Sequence, residues 1–345
     1  MPTEVVAIAP RQAVFREYEE PPVIPPNAVR VRTEFGSVKH GTELRMYRGI
    51  SPFSDSRYNE AFHAFVSDQP GASFPMGLGN MCVGVVVEVG KDVRHVRVGD
   101  RVAGYGALRE THLWSEEQVR ILPVNMTWKE AVCYDPAQFA LSGLRDGHVR
   151  IGDRVAVFGL GAIGLLAVQL ARIAGAVFVA AVDPIARRRE VALRHGADLA
   201  LDPGDTDAGL EIKKATLNKG VDVAVETSGD YSALHHALRS VAWGGAVSVV
   251  GWYKECKGGL DLGREAHFNL PDIIMSRACS EPNRDHPRWD IGRIRDVCWD
   301  LLAKNAVNCE EIVDPVVPFS SVIEAFHDVD RAPEKSIKLG VVFGK

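Results

Sequence analysis

The chain has 345 residues, about two domains' worth at roughly 150 residues per domain, and ample length for a large core. Its 40 Lys and Arg against 45 Asp and Glu leave a formal net charge of −5, which argues against a surface that neutralises nucleic-acid phosphates or anionic lipid. Hydrophobic residues at 46% and charged residues at 25% exclude long disorder, and no apolar run approaches the roughly 20 residues of a membrane span.

The opening MPTEVVAIAP has no basic n-region and no long apolar h-region, so no secretory signal is expected. The six cysteines, Cys82, Cys133, Cys256, Cys279, Cys298 and Cys309, form no C-x-x-C pair. They predict neither a disulfide framework nor a compact four-cysteine zinc lobe, and a reducing, cytoplasmic setting follows.

Up to about residue 125 the chain is rich in β-branched residues, Pro and Gly. Val29–Thr33, Val83–Val89 and Val102–Tyr105 read as strands bounded by turn signals, the pattern of an antiparallel barrel-like module. Tyr47 to Pro75 is long and poorly periodic and carries Tyr58, Phe62, His63 and Phe65; it reads as a substrate or interface loop. From Val149 strands and helices alternate. Strands are expected at 154–159, 177–182, 198–201, 221–227 and 246–251, with helices at 162–174, 185–195, near 210–217 and at 231–241. This series implies a doubly wound parallel sheet. After Arg288 the tail reads helix, strand, helix (320–328) and a last strand (337–342). The octads GDRVAGYG and GDRVAVFG look like one turn-into-strand solution used twice.

Gly159-Leu160-Gly161-Ala162-Ile163-Gly164 is a G-x-G-x-x-G between a strand and a helix. Gly159 permits a tight turn, Gly161 lets backbone approach a pyrophosphate, and Gly164 allows close helix packing. The helix N-terminus at Ala162 and Ile163 then offers free N–H groups to the phosphates. The next strand ends in Asp183, whose carboxylate suits both ribose hydroxyls and would repel a 2′-phosphate, favouring NAD over NADP. Arg187 and Arg188 either soften that preference, flank the adenine or sit on a solvated helix face. Ser228, in Thr227-Ser228-Gly229, and Gly251 stand at carboxyl ends of strands, where ligands bind in open α/β sheets.

With these pieces, the chain resembles the medium-chain dehydrogenase/reductase family over essentially its whole length. The resemblance is carried by Gly41-Thr42-Glu43-Leu44, PMGLGNMCVGVVVEVG (75–90), VGDRVAGYG (98–106), Asp135-Pro136, the strand–glycine–helix unit and ETSG (226–229). It implies a GroES-like β-barrel domain built from both chain ends, 1–125 and 286–345, around a Rossmann NAD-binding domain at 126–285. The sugar and polyol dehydrogenase branch is the most similar. Its members hold a catalytic zinc through a Cys before Gly-Thr/Ser-Asp, a His-Glu pair after a Gly, and a Glu before Pro. Here those positions are His40, Asn80-Met81 and Asp135, which predicts zinc-independent chemistry and no metal site. The family's structural-zinc lobe is missing too, since 106–124 contains no Cys.

Without zinc, a proton must be moved and an oxyanion stabilised by side chains. His40, Lys39, Thr42, Asn80 and Asp135 are the candidates: His40 or Lys39 as base or oxyanion partner, Thr42 as proton relay, Asp135 orienting His40, and Asn80 contacting the substrate oxygen. The polar run Ser280–Asp290 suits either a hydroxyl-rich ligand or a hinge back to the barrel. The expected activity is interconversion of a secondary alcohol and a ketone on a sugar, polyol or cyclitol, by a homodimer or homotetramer. Three alternatives stay open: a zinc-retaining dehydrogenase using His40 and Asp135, a zinc-free quinone or enone reductase, and a non-catalytic NAD sensor.

Overall fold

The computed structural model describes residues 1–50, 56–66, 74–253 and 260–344. It divides into two compact units, 1–132 with 313–345, and 133–312. In the first unit, β1 (Thr3–Ala9) pairs antiparallel with β2 (Gln12–Glu17), and β3 (Ala28–Ser37) leads into a short helix, α1 (His40–Tyr47). A hairpin, β4 (Arg57–Asn59) and β5 (Ala64–Val66), packs Tyr58 edge-on to Phe65 at 5.5 Å. It occupies part of the expected 47–75 loop; the rest, 51–55 and 67–73, and also Cys256, lie outside the described residues. Next come β6 (Met76–Gly77), β7 (Met81–Val89), β8 (Arg101–Tyr105), β9 (Thr111–Ser115), β10 (Val119–Ile121) and α2 (Trp128–Val132). β3 is the spine. One edge pairs with β7, and the other takes β9 along residues 28–32. Two register shifts bend it, the means by which a sheet curls toward a barrel.

The second unit opens with α3 (Tyr134–Asp146), a helix the sequence reading did not foresee. It lies close on the sheet because Cβ atoms at Gly143 or Gly147 would meet Val250 Cγ2 at 2.5 Å and Val223 Cγ1 at 2.7 Å. The alternation then follows as expected: β11 (Arg154–Phe158), α4 (Ala162–Ile173), β12 (Phe178–Val182), α5 (Ala186–Arg194), β13 (Leu199–Leu201), α6 (Ala208–Ala215), β14 (Val221–Glu226), α7 (Tyr231–Ser240) and β15 (Val241–Val249). A small helix, α8 (Glu265–Asn269), and a sixth strand, β16 (Asp272–Met275), were not anticipated. The sheet is all parallel, in the order β13-β12-β11-β14-β15-β16, the doubly wound arrangement with its switch point between β11 and β14. Alternate strand residues Ala156, Phe158, Ala180 and Val182 are buried with Ile212 of α6 and Leu234 and Leu238 of α7. Asp207 and Asp230 cap α6 and α7 through the Leu210 and Ser232 amides.

The unit ends beyond residue 285, where the sequence placed its limit. Asp290 caps α9 (Ile291–Ala303), which packs on α3, and Tyr134 meets Trp299 edge-on at 5.3 Å. The Gln169 side chain exchanges two hydrogen bonds with the Asn308 backbone, and Glu311 takes Arg194 and His195. The other limit moves from 125 to 132 because the Trp128 ring stacks on Phe35 at 4.7 Å. Ser280–Asp290 is therefore not a hinge between units. It is an internal staple, in which Trp289 is sandwiched between the Arg145 and Arg293 guanidiniums, 3.5 and 4.3 Å from its ring, and Asp285 pairs with Arg145.

The chain then returns to the first unit through β17 (Val313–Pro318), α10 (Val322–Arg331) and β18 (Lys338–Val342). β18 enters the sheet between β17 and the residues 35–37 end of β3, completing the order β10-β8-β7-β3-β18-β17. Val322, Phe326 and Val329 of α10 share a core with Leu44, Tyr47, Leu78, Leu108, Leu339 and Val341. The two octads do share one device. Gly99 and Gly152 both adopt φ +94°, and the following aspartates accept the Arg97 and Arg150 amides at 2.8 and 2.7 Å. The GroES-like barrel plus Rossmann architecture expected from the sequence is present.

Candidate active site

In the second unit the glycine loop runs from β11 into α4. Gly159 has φ +83°, and a Cβ there would strike Ser228 at 2.8 Å. At Gly164 a Cβ would lie 1.8 Å from the Gly159 carbonyl. Both glycines are thus demanded by the chain's own packing. Gly161 is different: its φ is −71°, and a Cβ would meet nothing within 4 Å. The bare backbone there, beside the α4 N-terminus at Ala162 and Ile163, has the form of a phosphate cradle, and the loop fits a dinucleotide.

Asp183, at the end of β12, is only 4% exposed. One carboxylate oxygen accepts the Leu160 amide of the glycine loop at 2.7 Å, and the other accepts the Ile185 amide at 2.8 Å. Arg188 stands 3.7 Å from the same carboxylate. The residue therefore ties the glycine loop to the end of the second strand. Arg188, half-buried, faces the carboxylate rather than lying on a solvated helix face.

Ser228 and Gly251 meet around a residue to which the sequence reading gave no role. Glu226, fully buried at the end of β14, accepts the Ser228 amide (2.6 Å), the Ser228 hydroxyl, the Gly229 amide (3.1 Å) and the Tyr253 hydroxyl (2.7 Å). Burial pushes its pKa up, and these donors hold it back. A Cβ at Gly251 would lie 2.2 Å from the Gly229 nitrogen, so the turns after β14 and β15 touch backbone to backbone. The signal in the sequence was ETSG itself: a carboxylate ending a buried strand next to three small residues.

In the first unit, Lys39, His40 and Thr42 stand at the start of α1, and Asn80 precedes β7. Glu43, which also received no role, joins them. Buried, it accepts the Lys39 amide at 2.7 Å and the Gly79 amide at 3.0 Å. Burial raises its pKa to about 7, against the pull of those amides and of Lys338 and Lys39. The turn carrying Asn80 needs glycine at 79, where φ is +126° and a Cβ would lie 2.4 Å from the Leu108 nitrogen. Asn80 is held by its own backbone to Ser37 and Gly106, and its Nδ2 is buried without a hydrogen-bond partner among the described residues.

His40 Nε2 accepts the Leu339 amide at 3.0 Å, which puts the ring proton on Nδ1. This corrects two expectations for His40. The Nε2 lone pair that a base or a metal ligand would use is taken by the backbone of β18. Asp135 lies in the other unit, buried in the first turn of α3. Met81 is buried in β7, and Asn80 offers an amide where an imidazole would be needed. Among the described residues no three His, Cys, Asp or Glu side chains cluster so as to hold a metal ion. A tetrahedral catalytic zinc needs three such ligands, and the residues at these positions do not fit it.

Comparison with known proteins matches residues 25–124 to the alcohol dehydrogenase GroES-like domain and residues 162–283 to the zinc-binding dehydrogenase domain. The chain is 50% identical to D-guloside 3-dehydrogenase of Escherichia coli K12 over 99% of both chains. It is 28% identical to (R,R)-butanediol dehydrogenase of Bacillus subtilis, over 75% of this chain and 78% of that one. Among solved structures, the Bacillus subtilis 2R,3R-butanediol dehydrogenase superposes with a TM-score of 0.79 at 23% identity over 99% of each chain. An Escherichia coli CFT073 alcohol dehydrogenase complexed with NADH gives 0.78 at 20% identity over 99% of each chain. At those identities the solved structures speak for the fold alone.

Proposed function

The chain belongs to the medium-chain dehydrogenase/reductase family and is an oxidoreductase acting on CH–OH groups; from that premise we propose that it interconverts a secondary hydroxyl and a ketone on a glycoside ring, with NAD as cofactor and without a catalytic zinc. The observation that carries the substrate class is the 50% identity to a D-guloside 3-dehydrogenase over 99% of both chains. The polyol dehydrogenases among its relatives support a hydroxyl-rich substrate more broadly.

In this reading, Gly161 and the start of α4 take the pyrophosphate, and Asp183 takes the ribose hydroxyls. The Glu226 hub fixes the turns at Ser228 and Gly251. The nicotinamide held there would supply the acceptor for the hydride of the carbinol carbon. As the C–H electron pair departs, the hydroxyl proton must leave and the C=O bond forms. His40 Nδ1–H and Asn80 Nδ2–H donate to that oxygen while its negative charge develops, the work a metal does elsewhere in the family. With His40 committed to donation, Lys39 in its uncharged form accepts the proton, and Thr42 relays it. The reading extends to a cytoplasmic homodimer or homotetramer assembled through β16, an edge strand with Ile273 and Met275 exposed.

The test is turnover of a panel of methyl hexopyranosides and polyols with NAD and NADP, beside metal analysis of protein purified without added zinc. Oxidation of a glycoside with NAD favoured by at least about tenfold, or 1.4 kcal/mol, is expected, and chelators leave the rate unchanged. Silence across the panel, a preference for NADP, or stoichiometric zinc lost together with activity overturns the corresponding part.

A further inference from the structure

Lys338 is a lysine where the fold calls for an apolar residue. It opens β18, is 3% exposed, and precedes Leu339 and Val341 of the first unit's core. A buried ammonium is costly unless it is paired and hydrogen-bonded, and an apolar side chain of similar size would pack there without that cost. The pairing is also irregular at this residue. Lys338 opposes both Val313 and Asp314 of β17, a bulge of the kind that re-aims a side chain. Neither the hydride nor the proton path above uses it.

Its contacts converge on the segment that carries His40. Lys338 Nζ donates to the Val38 carbonyl at 2.9 Å. The next residue completes the grip: the Val38 amide donates to the Leu339 carbonyl at 3.3 Å, and the Leu339 amide donates to His40 Nε2 at 3.0 Å. Lys338 and Leu339 therefore hold both polar groups of the Val38 backbone and the ring of His40. Glu43 meanwhile holds the Lys39 amide. The Lys338 ammonium also acts on that carboxylate, drawing its pKa down against burial as Lys39 does. Cys82 of β7 meets the same carboxylate as a neutral thiol, its pKa pushed up by burial and by that charge. Residues 38–40 are thus held by a buried cation and a buried anion. A hydrocarbon at 338 would supply neither the bond to Val38 nor the charge.

We propose that Lys338 is a positioning residue of the dehydrogenase: through the Val38 carbonyl and the charge of Glu43 it fixes the backbone that aims the His40 ring at the substrate oxygen. This rests on the reading of His40 as a donor to that oxygen. Lys338 acts through its neighbours and touches neither substrate nor cofactor.

Steady-state kinetics of full-length Lys338→Met, on the glycoside the native enzyme oxidises, test the assignment. A fall in kcat of at least about tenfold is expected, with the KM for NAD changed by less than about threefold. A KM for NAD raised about tenfold at unchanged kcat would give the lysine to the cofactor and overturn the proposal, as would unaltered kinetics. Infrared difference titration reads the Glu43 carboxyl directly, with Glu43→Gln as the blank. Its midpoint, about 7 in the native protein, is expected at least about one pH unit higher in Lys338→Met, a tenfold change in acidity that lost packing alone would not produce. In the unaltered protein, the Lys338 ammonium nitrogen resonance is expected to shift with that same midpoint, a readout that does not depend on the variant folding. A carboxyl midpoint that stays in place, or a Lys338 resonance that does not titrate with it, overturns the proposal. These two readouts need no turnover. They decide the pairing even where the native enzyme is silent on every glycoside, the result that overturns the dehydrogenase reading instead.

Discussion

Glu43 shows how much a single buried carboxyl can set. It holds the amides of Lys39 and Gly79 at once, so the segments that carry His40 and Asn80 are fixed to each other through one side chain. Its folded pKa, about 7, lies above the ordinary 4.5. Between those values the folded chain binds more protons than the unfolded one. Stability therefore falls as pH rises through this window and is level above it. The span is worth about 3 kcal/mol at the extreme. Glu43→Gln is expected to remove that slope: in denaturation series from pH 4.5 to 8, the native protein should lose stability relative to the variant as pH rises, and parallel curves would contradict the assignment. His40 and Asn80 were legible as candidates because they replace ligands in a motif. The bond from Leu339 to His40 was not, since it joins residues brought together only when the last strand enters the sheet.

At the level of elements, the glycine loop separates packing from binding. Gly159 and Gly164 are required by the chain's own atoms, and Gly161 is not. Gly161→Ala is therefore expected to leave thermal stability nearly unchanged while raising the KM for the dinucleotide at least tenfold. Gly164→Ala, with a Cβ 1.8 Å from the Gly159 carbonyl, should lower the melting temperature itself. Melting curves and cofactor kinetics on the two variants check this, and equal loss of stability in both would refute it. The same loop explains why the second unit was readable: its motif is contiguous, and the strands around it, five or six residues long, are mostly apolar and buried. α1, α3 and β16 escaped notice for a different reason. α1 and α3 mix charged residues into buried turns, as with Glu43, Arg45 and Asp135, and the exposed edge strand β16 lacks a buried run. Their structure is imposed by what they pack against.

For the whole molecule, the family resemblance implied that both ends share a domain around an inserted one, and the texture change near Val149 showed where the alternation begins. The limits it placed at 125 and 285 moved to 132 and 312 because side-chain pairs such as Phe35–Trp128 and Gln169–Asn308 decide them, and pairs across such distances carry no local signal. The contiguous unit 133–312 contains its complete sheet, so that fragment expressed alone is expected to fold cooperatively and retain dinucleotide binding. Circular dichroism and titration with NADH measure this, and an unfolded fragment would count against its autonomy. The first unit has no such independence. β18 lies between β3 and β17 and supplies Leu339 to His40, so the residues that complete the proposed oxygen-binding pair wait for the far end of the chain. During synthesis the nucleotide-binding half can therefore mature while the ribosome still holds the closing strand. A nascent chain would acquire its cofactor before it acquires its reactive centre, and an interrupted translation product would sequester dinucleotide without consuming it.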